Sequence, residues 1–148
     1  LVINKWDLAE HVETEKYLAY FATRLPLWHF APVVFVSAKD RTRLREMVDV
    51  AFDLHDQAAE RVATPHLNKV VEQASAVRGP RVSRGKYPKI YYATQVGTSP
   101  PWVVLFVNDP ALFKDDFRRF LANRFREAFP FPEIPVRVSF RKRKSIYR

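Results

Sequence analysis

Residues 2–8 read Val-Ile-Asn-Lys-Trp-Asp-Leu, and this stretch decides the fold. A short apolar run breaks off in Asn4, Lys5 and Asp7. That is the pattern of a buried parallel strand delivering polar groups to a ligand beyond its C-terminal end. Residues 32–39, Pro-Val-Val-Phe-Val-Ser-Ala-Lys, repeat it, an apolar run ending in a polar turn. Between the two runs, residues 13–25 put Tyr17, Leu18, Phe21, Ala22 and Leu25 on one helical face, and Pro26 stops that helix. Trp28 and His29, in the link to the second run, are expected to pack. Past Lys39 a long helix is expected over residues 42–62, with Leu44, Met47, Val48, Ala51, His55, Ala58 and Val62 as its stripe. Strand, helix, strand, helix is one end of a parallel α/β sheet.

The polar tips suit a purine. Asn4-Lys5-Trp6-Asp7 fits the Asn-Lys-x-Asp pattern with which GTP-binding domains read guanine. The Asp7 carboxylate would accept from guanine N1–H and the 2-amino group, a donor pair that adenine lacks. Asn4 would hold the neighbouring loop, and Lys5 would lay its methylenes along the purine face. Ser37-Ala38-Lys39 fits the partner loop. There the Ala38 amide would meet guanine O6, Ser37 would brace the turn and Lys39 would flank the base. The alternative is an ordinary strand end with a capping Asn and solvated charges. The second tip, with its own motif, weighs against that.

The chain has 148 residues, room for one ordinary domain or two small ones, and 47% of them are hydrophobic. No apolar stretch reaches the length of a membrane span. The absence of cysteine removes disulfides and thiolate metal sites and suits a cytoplasmic protein. The first residue is Leu, with no signal peptide ahead of it, so a piece of a longer polypeptide is expected. His11, His29, His55 and His66 lack metal-ligand spacing, so no metal site is expected. With only 3 glycines, the sequence contains no phosphate-binding Gly-x-x-x-x-Gly-Lys-Ser/Thr loop. The charge of +9 is uneven. Residues 1–63 hold 8 Lys/Arg against 10 Asp/Glu, and residues 114–148 hold 11 against 4. A basic C-terminal part suggests a polyanion, RNA or DNA first.

Thr64-Pro65 is read as a helix start, Thr as N-cap and Pro at the first helical position, with Leu67, Val70, Val71, Ala74 and Val77 following at helical spacing. The domain boundary is expected near Ala63, giving parts 1–63 and 64–148. Residues 89–96 and 102–107 make a hairpin. Asp109-Pro110 is read as the start of another helix, with Leu112, Phe113, Phe117, Phe120, Leu121, Phe125 and Phe129 as its core stripe. Val136, Val138 and Phe140 alternate with Arg137, Ser139 and Arg141 as a half-buried strand. The second part is therefore helix–strand–strand–helix–strand. Its middle strand is apolar on both sides, so something is expected to cover the outer face.

Taken together, these residues resemble the bacterial Der/EngA tandem GTPase family, in which two GTPase domains precede a KH-like domain. The resemblance rests on Asn4-Lys5-Trp6-Asp7, Ser37-Ala38-Lys39, Thr98-Ser99-Pro100-Pro101, Phe106-Val107-Asn108, Arg119-Phe120-Leu121-Ala122-Asn123 and Arg126 followed by Phe129-Pro130-Phe131. Two departures stand out: Asp40-Arg41-Thr42-Arg43 and Pro132-Glu133 lie where glycine is common. The fold it implies is α/β and α+β: a partial P-loop GTPase, parallel β-α-β-α, followed by a KH-like α-β-β-α-β domain. The function it implies is that of a GTP-binding protein assisting assembly of the large ribosomal subunit. GTP or GDP would be its ligand, with Mg²⁺ only in the intact protein. Asn4, Lys5, Asp7, Ser37, Ala38 and Lys39 would bind guanine, and no catalytic residue falls within the chain. Arg78, Arg81, Arg84, Lys86, Arg137, Arg141, Lys142, Arg143 and Lys144 are the candidates for RNA phosphates. Gly79 and Gly85 are too far apart for the Gly-x-x-Gly clamp of ordinary KH domains. The other partner implied is a missing N-terminal GTPase domain docking on the KH-like domain. A free-standing RNA-binding module and a protein-docking domain without nucleotide function remain alternatives.

Overall fold

The computed structural model describes residues 1–9, 11–80, 82 and 85–143. They fall into two compact units, Leu1–Asp56 and Gln57–Arg148. In the first, β1 (Val2–Ile3) pairs in parallel with β2 (Val34–Phe35), Val2 opposite Val34 and Ile3 opposite Phe35. The ladder continues past both ends of β1. Val34 N–H donates to the Leu1 carbonyl at 2.9 Å, Val36 N–H to Ile3 at 2.8 Å, and Trp6 N–H to Val36 at 3.0 Å. Helix α1 (Thr14–Arg24) lies between the strands in sequence, and α2 (Leu44–Ala59) follows them. Trp6, Tyr17 and Phe35 join α1 to the sheet, with ring centres 4.3 Å apart for Trp6–Phe35 and 5.3 Å for Trp6–Tyr17.

The apolar stripes of the two helices have no core to enter in the described structure. Val34, Phe35 and Val36 are buried, but no residue of α1 or α2 is. Leu18, Leu25, Val48 and Phe52 are exposed. An apolar hollow of about 520 Å³ opens between β1, β2 and α2, lined by Val2, Val34, Met47, Val48 and Phe52 among others. Trp28 is likewise exposed, and it stacks on Phe30 at 6.3 Å.

The second unit holds α3 (Thr64–Val77), β3 (Ile90–Gly97), β4 (Trp102–Val107), α4 (Asp115–Ala128) and β5 (Arg137–Lys142). The sheet order is β3-β4-β5, with β4 antiparallel to β3 and parallel to β5. Val103, Leu105 and Val107 share a face with Ala93 and Val138, and they are buried along with Leu67, Val71, Phe117, Leu121 and Phe125 of the helices. β3 is an edge strand, and unpaired edge groups are costly to leave dry. Asn68 of α3 meets that need. Its side chain accepts from Ala93 N–H at 2.8 Å and donates to the Ala93 carbonyl at 2.9 Å.

Two helix starts differ from expectation. Thr64 is not the N-cap. Ala63 is, without a side-chain bond, and Thr64 and Pro65 form the first turn. Both residue types also suit the first helical positions, so the pattern tolerates a one-residue offset. Asp109 does cap, accepting from Ala111 N–H at 3.1 Å, but it caps only the three-residue 3-10 turn Pro110–Leu112. Phe113 and Lys114 are extended, and α4 begins at Asp115.

The outer face of β4 is covered in part by its own neighbours. Val104 is fully buried. Tyr92 stacks on Phe106 at 4.5 Å. Arg137 sits 4.1 Å over the Trp102 ring and Arg141 5.8 Å over it, while Trp102 Nε1–H donates to Ser139 Oγ at 3.0 Å. Phe125, by contrast, belongs wholly to the core and is completely buried. Phe125→Ala is expected to destabilise this unit by about 3–5 kcal/mol, read by urea denaturation followed through tryptophan fluorescence.

Candidate functional site

Because Trp6 extends the ladder to Val36, the two polar tips come side by side. Ser37 Oγ donates to Asp7 Oδ1 at 2.8 Å. Ser37 Oγ also accepts from Asp40 N–H at 3.1 Å, which folds the second tip back on itself. A bridge between Ser37 and Thr42 closes that loop. Asn4 Oδ1 spans both tips, accepting from Lys5 N–H at 2.8 Å and from Ala38 N–H at 3.2 Å. Lys39 Nζ lies 4.0 Å from Asp7 Oδ2, but its side chain is 80% exposed. An ion pair that open contributes at most about 1 kcal/mol, while a hydrogen bond to a carboxylate contributes about 1.5–3 kcal/mol. Ser37, not Lys39, therefore fixes Asp7.

The tips carry backbone strain. Lys5, Arg41 and Arg43 lie at φ 63°, 56° and 56°, the left-handed region. In each case this costs a non-glycine residue about 1–2 kcal/mol. The loop after Ser37-Ala38-Lys39 thus has left-handed positions but fills them with arginine. An ionised carboxylate accepts about four hydrogen bonds, so Asp7, with Oδ1 holding one, keeps capacity for two more donors.

The basic candidates are scattered, and several are already engaged. Arg78 is paired with Asp116 at 3.1 Å, and Lys86 lies 3.8 Å from Asp109. Arg137 and Arg141 stand over Trp102, and Arg143 lies 4.9 Å over Tyr91. Lys142 is exposed at the end of β5. Arg81, Arg84 and Lys144 lie outside the described residues. Burial holds the Arg126 guanidinium below the usual arginine pKa, and Glu127 opposes the shift. Among the described residues no group of three or more His, Asp or Glu could hold a metal ion. None of their helices is long and apolar enough to cross a membrane.

The sequence reading puts Tyr87 in the polar loop 78–88 and Tyr91 and Tyr92 in the following strand, and gives none of them a role in binding. Tyr87, Tyr91 and Tyr92 are all exposed, and Lys89 lies 5.4 Å over Tyr91. The available signal was three tyrosines within six residues, interleaved with Lys86 and Lys89.

A short parallel α/β segment with two polar strand tips, followed by a small three-stranded α+β domain, defines a chain of mixed class with a KH-like part. Residues 61–141 match the family described as the KH-domain-like C-terminal part of EngA bacterial GTPase enzymes. The chain belongs to the Der/EngA GTPase family and carries its C-terminal KH-like region. It is 41% identical over 146 residues to the GTPase Der of Listeria welshimeri, covering 97% of this chain and 34% of that protein. The GTPase Der of Geobacillus thermodenitrificans is 40% identical over 148 residues, again 97% of this chain and 34% of the relative. That of Rippkaea orientalis is 37% identical over 150 residues, 97% and 32%. The chain thus spans about a third of the length of these curated relatives.

The Ser37–Asp7 bond can be tested directly. Ser37→Ala is expected to destabilise the tip locally by about 1.5–3 kcal/mol, seen as faster hydrogen exchange at the Ala38 and Asp40 amides with the second unit's protection unchanged.

Proposed function

We propose that residues 1–63 form the guanine-reading end of a GTPase domain and residues 64–148 a KH-like domain that contacts RNA and protein. On this reading the intact polypeptide is a cytoplasmic GTPase acting in assembly of the large ribosomal subunit, with GTP or GDP as ligand. The observation that carries the proposal is the pairing of the tips. Asp7, braced by Ser37, and the Ala38 amide, held through Asn4, belong to one cluster of hydrogen bonds. The Ala38–Asn4 bond of 3.2 Å is long, so the amide is easily exchanged onto guanine O6. Asp7 then accepts from N1–H and the 2-amino group, and Ser37 keeps the carboxylate from rotating.

GTP hydrolysis needs a phosphate loop, a held Mg²⁺ and an oriented water. The 148 residues contain no such loop, so they supply base recognition and not chemistry. Calorimetry of this chain with GDP should therefore show no binding in the micromolar range; a micromolar dissociation constant would overturn this division of labour. In a longer polypeptide carrying a Gly-x-x-x-x-Gly-Lys-Ser/Thr loop ahead of Leu1, Asp7→Asn is expected to exchange guanine for xanthine preference. An amide N–H pairs with a 2-oxo group where a carboxylate cannot. A longer protein that keeps its guanine preference through this substitution would remove Asp7 from the base site.

The RNA part of the reading is supported by charge. The cations of the second unit outnumber its acids, and they crowd the end of β5. Binding to single-stranded RNA should weaken with salt, with log affinity falling about 0.7 per phosphate contact for each decade of salt. A flat salt response, measured by fluorescence anisotropy, would instead favour the protein-docking alternative.

A further inference from the structure

We infer that the open edge of β3 is a stacking site for unpaired bases of single-stranded RNA, with Tyr87 and Tyr91 as its aromatic platform. This rests on the reading above that the KH-like domain contacts RNA. A groove of about 640 Å³ runs between α3 and that edge, lined by Tyr87, Tyr91, Tyr92, Lys89, Glu72 and Ser75 among others.

Three observations point to a ligand there. The first is exposed aromatic surface. Tyr87 is 76% exposed and Tyr91 39% exposed, yet the backbone at Tyr87 and Lys89 is held in place. Asn108 donates to the Tyr87 carbonyl at 2.8 Å and accepts from Lys89 N–H at 2.9 Å. Rings presented on a fixed backbone lose little freedom when a base stacks on them. The second is charge beside those rings. Arg143 and Lys89 lie 4.9 Å and 5.4 Å over Tyr91, and a base that takes their place on the ring leaves both long side chains free to swing onto the phosphates of its strand. The third is an orphaned polar atom. Ser75, which lines the groove, has a buried Oγ with no hydrogen-bond partner among the described residues. A buried hydroxyl without a partner is costly, and the edge of a base offers both donors and acceptors.

The geometry favours single strands over duplex. In β3 the register slips between Ile90 and Tyr92, and Asn68 blocks the edge only at Ala93. The segment between carries Tyr91 and Tyr92, whose ring faces suit splayed bases. A-form duplex presents backbone and a shallow groove, with its bases stacked away. An acidic peptide would engage Lys89 and Arg143 but would have no use for the tyrosine faces.

The experiment is fluorescence anisotropy of a labelled single-stranded oligoadenylate with the 148-residue chain at low salt. Tyr87→Ala and Tyr91→Ala should each weaken binding about 5- to 100-fold, while Tyr91→Phe retains it, because the ring face and not the hydroxyl makes the contact. The slope of log affinity against log salt should stay unchanged in the tyrosine variants and fall by about 0.7 in Arg143→Ala. Circular dichroism of each variant checks that it remains folded. Wild-type binding that both tyrosine-to-alanine variants reproduce would overturn the proposal and leave RNA contact to other surfaces. Equal affinity for duplex RNA, or displacement of the strand by polyglutamate with the same tyrosine dependence, would overturn it too. No RNA binding by the wild-type chain at low salt would remove the RNA reading itself.

Discussion

The geometry of the two polar tips depends on one short parallel ladder. β1 and β2 have two residues each, yet bonds from Val34 to Leu1, Val36 to Ile3 and Trp6 to Val36 fix their register. A slip of one residue would turn every side chain to the opposite face and send Asp7 away from Ser37. Three backbone bonds at about 1 kcal/mol each are a thin foundation. The left-handed Lys5, Arg41 and Arg43 draw on it by a comparable amount. The difference is made up by side chains: Ser37 on Asp7, Asn4 across both loops, and Trp6 packed against Phe35 and Tyr17. The residue at the free position of Asn-Lys-x-Asp is thus not idle. Trp6 extends the ladder with its amide and anchors the strand with its ring.

The second unit handles its exposed surfaces with polar groups on fixed frames. Asn68 stands in for a missing strand at Ala93. The outer face of β4 carries a Trp102 ring with arginines over it, and the parallel register of β4 and β5 puts Trp102 opposite Arg137. Cations over an aromatic face hide apolar area while keeping the surface charged. The same unit can therefore be basic outside and well packed inside.

How much of this the sequence showed depended on how local the signal was. β4 was legible to the residue, because a continuous apolar run between Pro101 and Asn108 has few other readings. The helix-strand-strand-helix-strand order followed from periodicity, that apolar run and the cap residues together. The start of α4 was not legible. Asp109-Pro110 is a true cap, and nothing local says that its helix stops after one turn before another begins at Asp115. Arg41 and Arg43 in left-handed conformation were equally hidden, since propensity assigns such positions to glycine. The bracing of Asp7 by Ser37 was foreseeable only as a role for Ser37 in its own turn; its reach across 30 residues depends on the ladder. The stacking of Arg137 on Trp102 needed the β4–β5 register, a long-range fact.

The two units also differ in what holds them. In the second, three residues each of α3 and α4 are buried against the sheet, a core able to sustain cooperative folding. In the first, no helical residue is buried, and the apolar hollow beside β1 leaves Val48 and Phe52 in water. At about 25 cal/mol per Å², apolar area left wet is stability not realised. The tips must therefore owe their geometry to their own hydrogen bonds and aromatic contacts more than to a deep core. Strained, locally supported loops belong to the low-stability end of a structure, where binding segments are commonly found. On the proposed reading, base recognition falls in the weakly buried unit and polyanion contact in the well-packed one. Each is then open to change through its own side chains without unmaking the other.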